Sequence, residues 1–403
     1  MTRPLRYLVL SSVTLLSGAV AVAGLVPVAA VSALPVPASS LPAVTTSAAV
    51  RPAAAIPVAQ IVRDQISLGM DCTLSRGDVP LCLHGEDEAP GSVEAASGAT
   101  GSTGTSGSIG CYGNGTDGRR VRLVYARPQS APDRYAESLA SISGWAAGVS
   151  AQFDESAART GGRRHVRYAT TPGPSCSVVV LSVALPDAAF GSFQGTVDAL
   201  EQRGLNAAYS KYLVWADTDR VCGLATSFVD DSPGLDNINN GSLPSYARID
   251  RRCWGKVETH ELVHMLGGVQ RSATNATAGF HCSDGLDVMC YDDGTAGSTQ
   301  RAVCGKDRVR ILDCRNDDYF STAAPRGSYL QTHWNTARSS FLAATLSDPP
   351  EAPAPSSSAS PSASPEPTRP PEEIEDPLSG TLPAIQLPAG IPTLLPSLLG
   401  SER

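Results

Sequence analysis

Apolar positions recur at two different spacings through the middle of the chain, and the spacing changes from segment to segment. Val121–Ala126, "VRLVYA", reads as a strand. From about Pro132 to Ala158 the apolar residues return at helical spacing behind an early proline, which predicts a long helix. Trp145 and Phe153 fall on its core side, so they read as packing residues. Strands are predicted at His165–Thr170 and Cys176–Ala184, the second a continuous apolar run that should be buried. A second helix covers roughly Phe190–Arg203 and stops at Gly204, and Tyr212–Ala216 and Cys222–Phe228 read as further strands. Residues 230–250 are rich in Asp, Asn, Gly and Pro and are expected to form a long loop. A short helix follows near 258–266, and a last helix is predicted at Tyr329–Ala344. This order predicts an α+β (α/β) fold, with a small mixed sheet, a long backing helix, a motif helix and a C-terminal helix.

Composition sets the two ends apart from this core. Arg3 and Arg6 precede an apolar run from Tyr7 to about Ala23 and a small-residue site at Val31-Ser-Ala33. That order predicts a secretory signal peptide over 1–33. Residues 34–110 are Ala/Pro-rich and then Gly/Ser-rich, too poor in apolar side chains to build a core, and read as spacers or a propeptide. The candidate catalytic domain is 111–346. Beyond it, 347–403 is a Pro/Ser-rich tail expected to be extended and disordered. Its apolar end contains Pro383, Pro388, Pro392 and Pro396, which forbid a continuous membrane helix, and leaves contact with a cell wall or surface as its candidate role.

A net charge of −8 without long basic runs argues against a nucleic-acid partner. All ten cysteines lie after the signal region, and an even count in an exported chain reads as disulfides. Cys72 with Cys82 is the expected local pair. Arg76-Gly-Asp78 within that loop resembles an adhesion tripeptide, but three common residues coincide too often to carry a function.

The chemistry concentrates in "ETHELVHMLGGVQ", 258–270. On a wheel of about 100° per residue, His260, Glu261 and His264 share one face and Leu262 and Leu266 the other. One face can bind while the other packs. Two imidazoles one turn apart can reach a single Zn²⁺, and the glutamate between them can take a proton from a bound water. Gly267-Gly268 then lets the chain turn sharply, as glycine with positive φ permits.

His260-Glu-Leu-Val-His264-Met-Leu-Gly267, followed by Val288-Met289-Cys-Tyr291, resembles the metzincin clan of secreted zinc endopeptidases. The resemblance implies a metzincin-like fold with an active-site helix, His260 and His264 as metal ligands, Glu261 as general base and Met289 as a hydrophobic floor under the zinc. It also gives Tyr291 a role beside the metal or the oxyanion. The implied activity is hydrolysis of a protein or peptide substrate by a monomer. One position departs from the clan, because Gln270 stands where the third ligand is His or Asp, and an amide is a poor zinc ligand. His281 is the favoured substitute, with Asp284 or Asp287 next. His84, His165 and His333 are less well placed in the chain. Cys282 and Cys290 are expected in disulfides rather than on the metal, and a propeptide cysteine, Cys72 or Cys82, is the weaker candidate for a zinc cap. The competing readings are a binding or surface protein whose metal site is lost through Gln270, and a structural module in which zinc is only a staple. Retention of Glu261 speaks against the staple.

Overall fold

The computed structural model describes residues 56–87, 108–305 and 311–347. The expected signal segment, most of the Gly/Ser linker and the Pro/Ser tail lie outside the described residues. The fold is α+β. Its main sheet has five strands in the order β5-β3-β6-β8-β7, namely β5 Val180–Leu185, β3 Arg120–Pro128, β6 Ser210–Ala216, β8 Ser245–Asp250 and β7 Gly223–Ala225. The first four run parallel, and β7 pairs antiparallel with β8 at the edge.

Alternation along the central strands builds two cores. Leu123 and Tyr125 of β3 and Leu213 and Trp215 of β6 face a layer made by α2 (Tyr135–Ala158) and α4 (Glu258–Met265). Phe153 is fully buried there, and Trp145 packs at its margin. Val124, Ala126, Tyr212 and Val214 point the other way, against α3 (Phe193–Glu201). Both faces of the sheet are therefore covered, which is why these strands read as nearly unbroken apolar runs. Ser192 starts α3 by accepting the Gly195 N–H through its side chain at 2.9 Å.

Several elements differ from the sequence expectation. Within the expected loop 230–250, Ser245–Asp250 is a wholly buried strand. Its polar look comes from Arg248 and Asp250, which pair at 2.8 Å inside the protein, while Arg248 also donates to the Phe190 carbonyl. The last helix is only one turn, α5 at Tyr329–Thr332, followed by a 3-10 turn at Thr336–Arg338 and the short β9 at Leu342–Ala343. Tertiary bonds break it: the Trp334 indole donates to the Leu266 carbonyl at 2.7 Å, and the Asn335 side chain accepts from Ser321 and Ala337 N–H groups. β4 is shorter than expected, His165–Val166, and pairs with β9.

The N-terminal region is more structured than its composition suggests. Val58–Ser67 is a helix, α1, and β1 (Asp71–Leu74) and β2 (Pro80–Leu83) form a hairpin joined by the Cys72–Cys82 disulfide. Met70 and Cys82 pack with Phe228 and Phe280, so this segment is docked on the domain by apolar contact. The Arg76-Gly-Asp78 turn is held by Asp198 and Glu201, which accept the Arg76 and Gly77 N–H groups. All ten cysteines are paired, the others being Cys111–Cys176, Cys222–Cys253, Cys282–Cys290 and Cys304–Cys314. No helix among the described residues is long and apolar enough to cross a membrane.

Candidate metal centre

Every residue of α4 is buried, because Leu262, Val263 and Leu266 pack under the sheet while the opposite face looks into a polar cluster. On that face the Nε2 atoms of His260 and His264 stand 3.0 Å apart. The Nδ1 of His260 meets the Val288 carbonyl at 2.9 Å, where only an N–H can serve, so its Nε2 carries the lone pair. The helix ends with Gly267 at φ 85°. The Gly267 and Gly268 N–H groups return to the His264 and Val263 carbonyls, a Schellman ending that a side chain at 267 would obstruct. Lys211, buried beneath this end, donates to the Met265 carbonyl at 2.6 Å, and burial lowers its ammonium to about 7.

After this turn the chain comes back. Ala276 bridges Cys282, and Thr277 N–H donates to the His281 carbonyl, so a narrow loop presents His281 to the two helix histidines. Its ring lies 5.2 Å from that of His260 and 5.1 Å from that of His264. Asp293 accepts from His281 Nδ1 at 2.9 Å, again leaving Nε2 directed inward. Although burial opposes its charged form, the carboxylates of Asp293 and Asp87 raise His281 above the ordinary value. The Cys282–Cys290 bond closes the loop, with Cys282 N–H donating to the Met289 carbonyl. Met289 is wholly buried, in the core cluster that also holds Leu262 and Leu266.

This loop carries a testable consequence. Native protein will leave Cys282 and Cys290 unlabelled by a thiol reagent, and mild reduction will weaken metal retention before the near-UV signal of the domain is lost. Labelling of either cysteine in unreduced protein contradicts it.

Two residues of the cluster come from the N-terminal hairpin. Asp87 Oδ1 lies 3.0 Å from His281 Nε2 and 3.5 Å from His260 Nε2, and Oδ2 lies 3.9 Å from His264 Nε2. The Tyr291 hydroxyl donates to Asp87 Oδ1 at 2.8 Å. His84 follows β2 directly and lies with its Nε2 3.8 Å from Asp87 Oδ2 and its ring 4.1 Å from that of His264. Burial lowers His84 to about 4, against the pull of Asp87. Burial alone would raise Asp87, but the surrounding imidazoles hold it well below the usual carboxylate range. Sequence reasoning missed Asp87 and set His84 aside, since nothing local in "LCLHGED" says which part of the domain the hairpin will cover.

The donor set could hold a metal ion. Donors about 2.0–2.1 Å from one tetrahedral centre stand about 3.3 Å apart, and the nitrogens and carboxylate here are spaced on that scale. His84, Asp87, His264 and His281 form one candidate ligand group and Asp87, His260 and Glu261 another, overlapping at Asp87. Glu261 is fully buried, and no N–H or O–H group among the described residues donates to either of its oxygens. Burial first, then Asp87 and Glu258, push its carboxyl well above the ordinary value. Gly223 lies so close that a methyl group there would overlap Glu261 Oε1.

The other sequence candidates lie elsewhere. The Gln270 amide donates to the Phe228 and Gly267 carbonyls and accepts from Asp230 N–H, so all its bonding is structural. His165 sits by Asp154, and His333 stacks on Tyr329. Asp287 accepts from Met289 and Cys314 N–H groups and the Tyr319 hydroxyl, and Asp284 pairs with Arg301.

No family model matches the chain, and no curated protein does. Among solved structures, metalloproteinase-II from Bacteroides fragilis is similar at 11% identity and a TM-score of 0.26, over 51% of this chain and 56% of that one. The chain thus spans little more than half the length of that structure.

Proposed function

We propose that the protein is a secreted zinc-dependent endopeptidase of metzincin type, whose metal site Asp87 would cap. The observation that carries the reading is the convergence of three imidazole nitrogens on one point beside a buried, undonated glutamate. His260, His264 and His281 would hold the metal. Zinc bound there would supply a Lewis acid and a water of lowered pKa. Neither Glu261 oxygen is engaged by a donor among the described residues, so once a bound metal cation offsets the burial that favours its neutral form, the carboxylate could take a proton and return it to a leaving amine. The Tyr291 hydroxyl, which donates to Asp87, could instead donate to a developing oxyanion if that carboxylate were displaced.

The sheet edge supports a polypeptide substrate. The Asp87 N–H donates to the Gly223 carbonyl at 3.0 Å, in an antiparallel bridge along the outer edge of β7. With the Asp87 segment displaced, an extended peptide could add to that edge through the same Gly223 carbonyl, which would bring its carbonyl beside Glu261. Five disulfides support an oxidising compartment. A second reading, a zinc staple, is favoured by the Asp87 carboxylate lying among the imidazoles, since it would close the site, and structural sites are closed while catalytic ones keep a place open.

Metal analysis of the full chain tests the first reading: one zinc per chain, lost in His264→Ala. Zinc-replete protein without metal would sink it. Asp87→Ala separates peptidase from staple. Hydrolysis of an unfolded protein should rise about tenfold or more with zinc retained, because the fourth position opens and Glu261 loses its carboxylate neighbour. Loss of zinc with no gain in hydrolysis would favour the staple.

A further inference from the structure

Carboxylates gather in a second place, sharing no residue with the imidazole cluster. Asp284, on the loop that presents His281, meets Asp317 and Asp318, and each offers a carboxylate oxygen within 4.8 Å of the others. Asp284 and Asp318 are only 2% and 3% exposed. Acidic groups assemble without a ligand in many proteins, but two details here point to one. Oδ2 of Asp284 and Oδ1 of Asp317 are buried and receive no hydrogen bond. A buried carboxylate oxygen left without a donor is costly, and one belonging to a nearly inaccessible side chain has no water to turn to.

The available positive charge does not close the gap. Arg301 reaches Asp284 Oδ1 at 2.8 Å, and Arg315 lies 3.7 Å from Asp317 Oδ2, but both arginines are half exposed. Among the described residues, Asp318 is met by the neutral amides of Asn275. Burial and then the neighbouring Asp317 and Asp284 charges outweigh those amides and raise the Asp318 carboxyl to about 6. The donors are all oxygen, with no imidazole or thiolate among them, which selects a hard divalent ion over zinc.

We propose that Asp284, Asp317 and Asp318 form a calcium site that ties the His281–Met289 loop to the 313–318 segment. Water would complete the six to eight oxygens calcium takes. The ion would act on the loop's position, and no step of hydrolysis involves it.

The test uses full-length protein, zinc-loaded and dialysed free of calcium, with Ca²⁺ or Mg²⁺ alone as the probe. Calcium at about millimolar concentration, the range of extracellular sites, should raise the melting temperature by several degrees, and equal Mg²⁺ should not. Tb³⁺ luminescence, with Tyr319 as antenna, should give a saturable signal that calcium displaces. Asp317→Asn, at the half-buried position, should weaken calcium binding about tenfold or more with zinc content unchanged. Asp284→Asn with Asp318→Asn should abolish it. Should that double variant not fold, Asp317→Asn decides alone. No calcium shift in the parent protein, an equal shift with Mg²⁺, or an undiminished shift in Asp317→Asn would overturn the proposal. Zinc content is read separately, so failure here leaves the peptidase reading standing.

Discussion

Glu261→Gln is expected, on the peptidase reading, to abolish most hydrolysis of an unfolded protein substrate while bound metal and melting temperature stay near those of the parent. Both oxygens of Glu261 lack a donor, so an amide of the same shape breaks no existing hydrogen bond. The surroundings already favour an uncharged group at this place, since burial pushes the carboxyl well above its usual value. What the amide cannot do is accept a proton. General-base catalysis of this kind contributes about 10²–10⁴-fold, and a loss of that size in kcat with KM little changed is the expected signature. The measurement is best made together with Asp87→Ala, so that the site is open in both proteins. Undiminished turnover in the glutamine variant would remove Glu261 from the mechanism.

On the peptidase reading, His281→Ala is expected to lose zinc and Gln270→Ala to keep it. Removing the Asp293 bond to a ligand imidazole would cost roughly 10–100-fold in affinity, so removing the imidazole itself should cost more. Gln270 is tied to Phe228, Gly267 and Asp230, so its alanine variant leaves buried backbone groups unpaired and lowers stability by about 1–3 kcal/mol per group. Zinc content and melting temperature therefore move in opposite columns: one variant is metal-poor, the other metal-replete but less stable. Loss of zinc from Gln270→Ala with retention in His281→Ala would reverse the assignment.

The shared face of the motif helix was legible in the chain because it is local. His260, Glu261 and His264 share a face whatever the helix packs against, since about 100° per residue fixes their relation. Gly267 announces the helix end for the same reason, as a left-handed turn is cheapest for glycine. The parallel strands were legible where both faces are buried, as in β3 and β6. Ser245–Asp250 was not, because Arg248 and Asp250 satisfy one another only when buried together. Nor was the one-turn end of the C-terminal helix, which Trp334 breaks by bonding to a carbonyl of another helix.

Sequence by itself determined the chemistry on offer: two imidazoles and a carboxylate on one helical face, a glycine turn, a methionine-containing segment, and an even set of cysteines. Tertiary structure decided which distant groups meet it. Asp87 and His84 reach the cluster because the Cys72–Cys82 hairpin docks on Phe228 and Phe280 and aligns its end with β7. His281 arrives because a disulfide-closed loop folds back over α4. Short-range periodicity encodes what lies within a turn or two of helix. Contacts between residues far apart in the chain depend on which apolar surfaces bury each other, and no local pattern records that.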